Sequence, residues 1–342
     1  MIVRARAPFR LGLAGGGTDV SPYMDEYGGA VLNATIASHA WVTLRSGGSE
    51  VVLESADTGL SARYPATGSP MPRDGVLDLV KAVHDRIVRE FHHGRPLPLT
   101  IQTYSEAPPG SGLGSSSTLV VALIQAYEEL LKLPLGEYDI ARLAFQIERE
   151  DMALAGGRQD QYAAAFGGFN FMEFTAGERV IVNPLRIKPD TVRELEARML
   201  VCFTGVSRES ARIIEDQRSN VLAGVQKSID AMHNLKANAV AMKEALLHGD
   251  LDGMAEVLRE GWQSKRAMAA GISNSHIEEL WDIAAESGAY AGKVSGAGGG
   301  GFMMFFCPLE KKPTIISRLE ARGCRVAAVV FTAEGANAWS VR

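Results

Sequence analysis

Apolar positions in this chain recur with two periods. Alternating or apolar runs at residues 2–6, 31–36, 40–45 and 50–54 predict strands, with turns at Gly28-Gly29 and Ser46-Gly47-Gly48. They suggest an antiparallel-rich sheet. Helical spacing covers 77–91 and ends near His93-Gly94. A short alternating segment at 99–104 leads through a glycine- and serine-rich loop into a helix that runs to Leu133. Another helix starts near Glu137 and stops before Gly156-Gly157. Strands at 168–174 and 180–182 precede a polar connection at 184–196, which places a domain boundary there: 1–185 and 186–342. Beyond it come an apolar strand at 199–203 and three helical stretches. The last stretch opens on the capping-box pattern Ser275-His276-Ile277-Glu278 and closes at Gly288. Strands at 301–306 and 325–331 then flank a helix at 309–322. Sheet with helices in both halves makes the class α+β.

Composition narrows the function classes. With 342 residues the chain is long enough for two cores. Hydrophobic residues at 46% and charged residues at 22% suit a soluble enzyme, and a net charge of −5 without a basic block argues against nucleic acid. Three cysteines at 202, 307 and 324 have neither pairing nor zinc spacing; the first two sit in apolar runs and read as buried, inert thiols. The N-terminus lacks the apolar core of a signal peptide, and no run approaches 18 apolar residues, so a cytoplasmic protein without a membrane span is expected.

The candidate chemistry lies in three glycine-dense loops. Pro109-Gly110-Ser111-Gly112-Leu113-Gly114-Ser115-Ser116-Ser117-Thr118 stands between a strand and a helix. There converging backbone N–H groups and a helix N-terminus favour polyphosphate. It is no Walker motif, because no Lys precedes Ser115, and no Rossmann fingerprint, because no acidic residue closes a second strand. Gly12-Leu13-Ala14-Gly15-Gly16-Gly17-Thr18-Asp19, preceded by Pro8-Phe9-Arg10, is the second, and Val294-Ser295-Gly296-Ala297-Gly298-Gly299-Gly300 the third. A glycine cluster is ordinarily just a loop, but three of them carry an entropic cost that a purely structural role leaves unexplained. Glu148 falls on the largely apolar face of the helix from 137, so its carboxylate, if buried, needs a partner such as Mg²⁺; the alternatives are a salt bridge or a position on the rim. Asp160 follows the Gly156-Gly157-Arg158-Gln159 break and is read as lying in a turn rather than on a helix face.

These three motifs, in this order and spanning nearly the whole chain, resemble those of the galactokinase, homoserine kinase, mevalonate kinase and phosphomevalonate kinase (GHMP) superfamily. Ser117 departs from the alanine usual there. The resemblance implies an N-terminal domain like ribosomal protein S5 domain 2, a ferredoxin-like C-terminal domain, and a cleft between them. It implies that the loop Pro109 to Ser117 wraps the ATP triphosphate, that Ser116 and Glu148 hold Mg²⁺, that Asp160 is the catalytic aspartate, and that Arg10 stabilises the transferred phosphate. The Gly15-Gly16-Gly17-Thr18-Asp19 loop and Gly156-Gly157-Arg158-Gln159-Asp160-Gln161-Tyr162 resemble the members that phosphorylate the anomeric hydroxyl of a heptose 7-phosphate, for GDP-heptose and surface polysaccharide synthesis. Gly16 and Gly17 then make room for the sugar, Thr18 and Asp19 bind its hydroxyls, and Gly298 and Gly299 close the site. Arg158, Arg208, Lys265 and Lys293 are candidates for its phosphate. A fucokinase- or galactokinase-like enzyme is the alternative, and a silent sugar sensor the other class. The small-molecule partners are a sugar phosphate and ATP; a homodimer is left open.

Overall fold

The computed structural model describes residues 1–177, 179–205 and 210–342. The first half contains β1 (Ile2–Ala14), α1 (Tyr23–Tyr27), β2 (Gly29–Ser46), β3 (Glu50–Ser55), β4 (Ser61–Pro65), α2 (Asp78–Phe91) and β5 (Leu99–Ser105). It continues with α3 (Ser115–Leu131), α4 (Glu137–Gln146), a π-helical turn (Ile147–Asp151), α5 (Gln159–Phe166), β6 (Phe169–Phe174) and β7 (Val180–Pro184). The second half contains α6 (Pro189–Arg198), β8 (Met199–Phe203), α7 (Ser210–Leu222), α8 (Gln226–His248), α9 (Leu251–Met268) and α10 (Ser275–Glu286). It ends with β9 (Ala291–Val294), β10 (Phe302–Phe306), α11 (Lys312–Glu320), β11 (Arg325–Ala328) and β12 (Asn337–Val341).

Two sheets organise these elements, and the α+β class holds. One runs β12-β1-β2-β5-β3-β4, with β6 also paired to β2 and β7 to β6; the other is antiparallel, in the order β11-β8-β10-β9. The last strand thus returns to the first sheet, where Ile2 pairs with Val341. One apolar cluster lies within the first half, and a second is built by the second half together with Tyr23 of α1. A third joins Phe9 and Leu11 of β1, Leu113 of the glycine loop, Met242 of α8 and Phe306 of β10, so the halves share a core. Each such fully buried side chain contributes about 1.5–3 kcal/mol. All three cysteines are buried, as the apolar runs around Cys202 and Cys307 implied for those two. Among the described residues no helix is long and apolar enough to cross a membrane.

Several expected boundaries move. The first strand runs to Ala14, not residue 6, because from Ala7 onward it is buried on both faces and the alternation disappears. Residues 31–45 form one strand rather than two. The polar connection at 184–196 contains α6, started by Pro189 and burying only Leu195, so its apolar stripe is too thin to see. Among the described residues four helices, not three, lie between β8 and β9. The cap of α10 is Asn274, which accepts from the Ile277 N–H at 3.1 Å, rather than Ser275. The edge strands β4 and β12 carry no continuous apolar signal.

Candidate active site

Position 114 decides how the glycine loop meets its helix. Gly114 precedes α3 with φ +75°, a left-handed conformation that an L side chain resists, and α3 starts without a side-chain cap. The Ser115, Ser116 and Ser117 N–H groups therefore lie at the unpaired end of a 17-residue helix, and all three serines line a cleft of about 260 Å³. Gly110, Gly112 and Gly114 line it too. Ser111 and Leu113 do not: Ser111 is fully buried, its carbonyl accepting from the Phe302 N–H at 2.8 Å, and Leu113 packs in the shared core. Pro109 is exposed and outside the lining. The loop's expected ligand set thus contracts to its alternate glycines and the three serines.

The third loop clasps this one. A Cβ on Gly112 would stand 2.5 Å from the Ser295 carbonyl oxygen, and one on Gly296 would stand 2.8 Å from Gly112 Cα. Only residues without Cβ allow that approach. Gly296 and Ala297 reach the cleft. Gly298 and Gly299 do not; they pack on Ile272, whose carbonyl accepts from the Gly299 N–H at 2.8 Å. The expected contact of Gly298 and Gly299 with substrate is corrected accordingly.

From the first loop, Gly17 and Asp19 face the same cleft, while Gly16 stands behind it beside Lys265. Asp19 is 1% exposed, and its Oδ2 accepts from the N–H groups of Arg158 and Gln159 at 2.9 and 3.0 Å. It therefore covers the start of α5, where a carboxylate suits the helix dipole. Thr18 is wholly buried, its hydroxyl shared between the Gly15 and Ala30 carbonyls at 2.8 and 2.9 Å as acceptors of its one proton, and accepting from the Ala30 N–H at 3.1 Å. It shapes the turn and is closed to a sugar.

Helix α5 begins at Gln159, so Asp160 sits in a first helical turn rather than a free turn. Arg10, at an irregularity in the β1–β2 register, is 3% exposed. Its Nε and Nη2 donate to Asp160 Oδ1 at 2.7 and 2.6 Å, and its Nη1 donates to the Gly112 carbonyl at 2.7 Å. The guanidinium is thus committed to holding the aspartate and the glycine loop. Asp160 Oδ2 takes no part in this pairing; it lies beside Gly114, 3.1 Å from where a Cβ would be.

Glu148 lies in the π-helical turn and is 1% exposed. Such turns recur at functional sites because they re-aim side chains. The Ser116 hydroxyl donates to Oε1 at 3.2 Å and the Gln161 amide to Oε2 at 2.5 Å. Among the described residues no salt bridge reaches this buried carboxylate, so the salt-bridge alternative is absent there and the pair of hard oxygens suits a divalent cation. Glu148 and Asp160 face one cleft at the serine-bearing helix tip.

The basic candidates separate clearly. Arg158 lies outside the lining, its guanidinium 4.3 Å from the centre of the Phe145 ring, and is corrected as a substrate contact. Lys293 is buried behind the first loop and donates to the Leu13 carbonyl at 3.1 Å. Burial, with Lys265 and Arg10 nearby, pushes its pKa well down. Arg208 lies outside the described residues. Lys265 lines the cleft. Sequence reading missed Arg149, Gln159 and Gln217, which line the cleft, and Gln161, which holds Glu148. For Gln159 and Gln161 the signal was their place on either side of Asp160. For the others none was visible.

Comparison with known proteins agrees with this geometry. Residues 78–168 match the GHMP kinases N-terminal domain and residues 242–324 the GHMP kinases C-terminal model. The D-glycero-alpha-D-manno-heptose 7-phosphate kinase of Campylobacter jejuni is 48% identical over 341 residues, 99% of each chain. The chain belongs to the GHMP kinases. Among solved GHMP kinase structures, one from Bacteroides thetaiotaomicron described as a D-glycero-D-manno-heptose 1-phosphate kinase is 42% identical, covers 99% of both chains and gives a TM-score of 0.85. The bifunctional fucokinase/GDP-fucose pyrophosphorylase of Arabidopsis thaliana is 28% identical over 335 residues, 93% of this chain and 31% of that longer protein. GHMP kinases are phosphoryl-transfer enzymes, and that chemistry rests on positioning and charge neutralisation.

Proposed function

We propose that this GHMP kinase transfers the γ-phosphoryl group of ATP to the anomeric C1 hydroxyl of D-glycero-D-manno-heptose 7-phosphate, giving the 1,7-bisphosphate. Full-length similarity to the Campylobacter jejuni heptose 7-phosphate kinase supports the acceptor. The observation that carries the chemistry is Asp160. Arg10 holds its Oδ1 while Oδ2 stands against Gly114 at the helix tip.

In this reading the N–H groups at the start of α3 bind the triphosphate, and Asp160 Oδ2 takes or orients the proton of the C1 hydroxyl. The new O–P bond forms as the bond from phosphorus to the β–γ bridging oxygen breaks, and ADP leaves. Ser116 and Glu148 fit Mg²⁺, which when bound supplies positive charge against the phosphate oxygens. Arg10 acts by holding Asp160 in place. Asp19, Gln159 and Gln217 offer polar contacts to the sugar. Residues 1–185 form the nucleotide-binding unit and 186–342 the lid over the acceptor, with β12 tying the second to the first.

A panel of free and phosphorylated sugars with ATP and Mg²⁺ tests the reading. Release of ADP with heptose 7-phosphate is expected. Turnover of free fucose or galactose without heptose 7-phosphate would replace it with a fucokinase- or galactokinase-like reading, and binding without ADP release with a sensor.

A further inference from the structure

We propose that Lys265 is the cation that selects a phosphorylated acceptor, reading the acceptor's own phosphate group from the second half of the cleft. The inference rests on the function proposed above and deepens it.

Placement carries the argument. Lys265 lies in the last turns of α9, and its ammonium sits between the first and third loops. It donates to the Gly296 carbonyl at 2.5 Å and comes within 3.7 Å of the position a Cβ on Gly16 would take. The residue is 4% exposed yet lines the cleft. Among the described residues it has no salt bridge, whereas buried lysines are ordinarily paired. An ammonium has three N–H donors, and the Gly296 carbonyl accounts for one. The other basic candidates described are committed elsewhere: Arg10 to Asp160, Arg158 to the Phe145 ring, Lys293 to the Leu13 carbonyl. Arg149 is occupied by the Leu154, Ala155 and Gly157 carbonyls at 3.3 to 3.4 Å.

Charge in the cleft agrees with this assignment. Asp160 is paired with Arg10, while the Asp19 carboxylate is hydrogen-bonded by the N–H groups of Arg158 and Gln159 and makes no salt bridge with Lys265. Lys265 is left carrying a positive charge in a nearly dry place, a cost that an anionic ligand offsets. Burial, followed by repulsion from Arg10, brings its pKa down to about 8, while Asp19 and Asp160 act in the opposite sense. Lys293 lies near it as well, its own pKa pushed well down by burial and then by Lys265 and Arg10. A phosphate monoester is already close to a dianion at neutral pH. The free enzyme loses the Lys265 charge as pH rises through about 8, so its affinity for a phosphorylated acceptor should fall there.

The test measures steady-state kinetics with ATP, heptose 7-phosphate and unphosphorylated heptose, for the wild type, Lys265→Met and Lys265→Arg. For the wild type, KM for heptose 7-phosphate is expected to rise about tenfold between pH 7 and pH 9, with KM for free heptose and for ATP nearly flat. Lys265→Met should raise KM for heptose 7-phosphate at least tenfold at pH 7 and abolish that pH dependence. Lys265→Arg should retain binding and also flatten the profile, since arginine stays charged. Equal losses on the free and phosphorylated sugars, or an unchanged KM in Lys265→Met, would overturn the assignment. If Lys265→Met does not fold, the wild-type and Lys265→Arg profiles decide alone: a flat wild-type profile overturns it. Wild-type enzyme inactive on every sugar phosphate would instead overturn the proposed function.

Discussion

The wall of the cleft built by the glycine loop and α3 differs from the wall facing it in where its groups come from. On the first, the facing groups are glycines, serines and helix-start N–H groups from one run, 110–117, joined by Glu148. On the second, Asp19, Gln217 and Lys265 come from the first loop, α7 and α9, and Gly296 and Ala297 from the third loop. Backbone donors converge wherever the local conformation makes them converge, so contiguous sequence suffices. Side-chain donors must be carried in by separate elements, and that requires the shared core between the halves. The contrast teaches that the triphosphate reading rests on local geometry, the acceptor reading on packing at a distance.

The sharpest way to break this comparison is at Asp160, which both walls share. Asp160→Asn should lower kcat by about 10³-fold while ATP affinity, read by calorimetry, stays within a few-fold. Near-wild-type turnover would remove the aspartate from its role. Next comes Glu148→Gln, which tests the first wall. The Mg²⁺ concentration needed for half-maximal rate should rise about tenfold or more, and an unchanged titration would discard the ligand pair. Gly114→Ala tests the same wall through conformation, because its Cβ would stand 3.0 Å from Asp160 Cγ at φ +75°. It should cost about 1–2 kcal/mol in thermal unfolding and lower kcat together with ATP affinity. On the second wall, Asp19→Asn keeps shape but loses charge at the start of α5. A loss of about 0.5–1 kcal/mol and a raised KM for the sugar at constant KM for ATP are expected. The smallest effect belongs to a control far from both, Asp190→Ala, whose exposed pair with Arg193 should change stability by less than about 0.5 kcal/mol.

The sequence by itself determined what depends on near neighbours. Strand, loop and helix around 99–131, the burial of Glu148 on an apolar helical face, and the glycine content of three loops all follow from spacing and conformational freedom. Only the tertiary structure decided which of those residues meet. It turned Ser111, Leu113 and Thr18 into the interior and Gly298 and Gly299 onto Ile272. It also tied Arg10 to Asp160 across 150 positions of chain and set Lys265 beside Gly16 at the cleft. The reason is physical. Periodicity records which face of an element is covered, and neither α6 with its single buried leucine nor the edge strand β12 has enough covered face to register. Partnership between distant polar groups leaves no period at all, because it is fixed by how the two sheets and their helices share one apolar core.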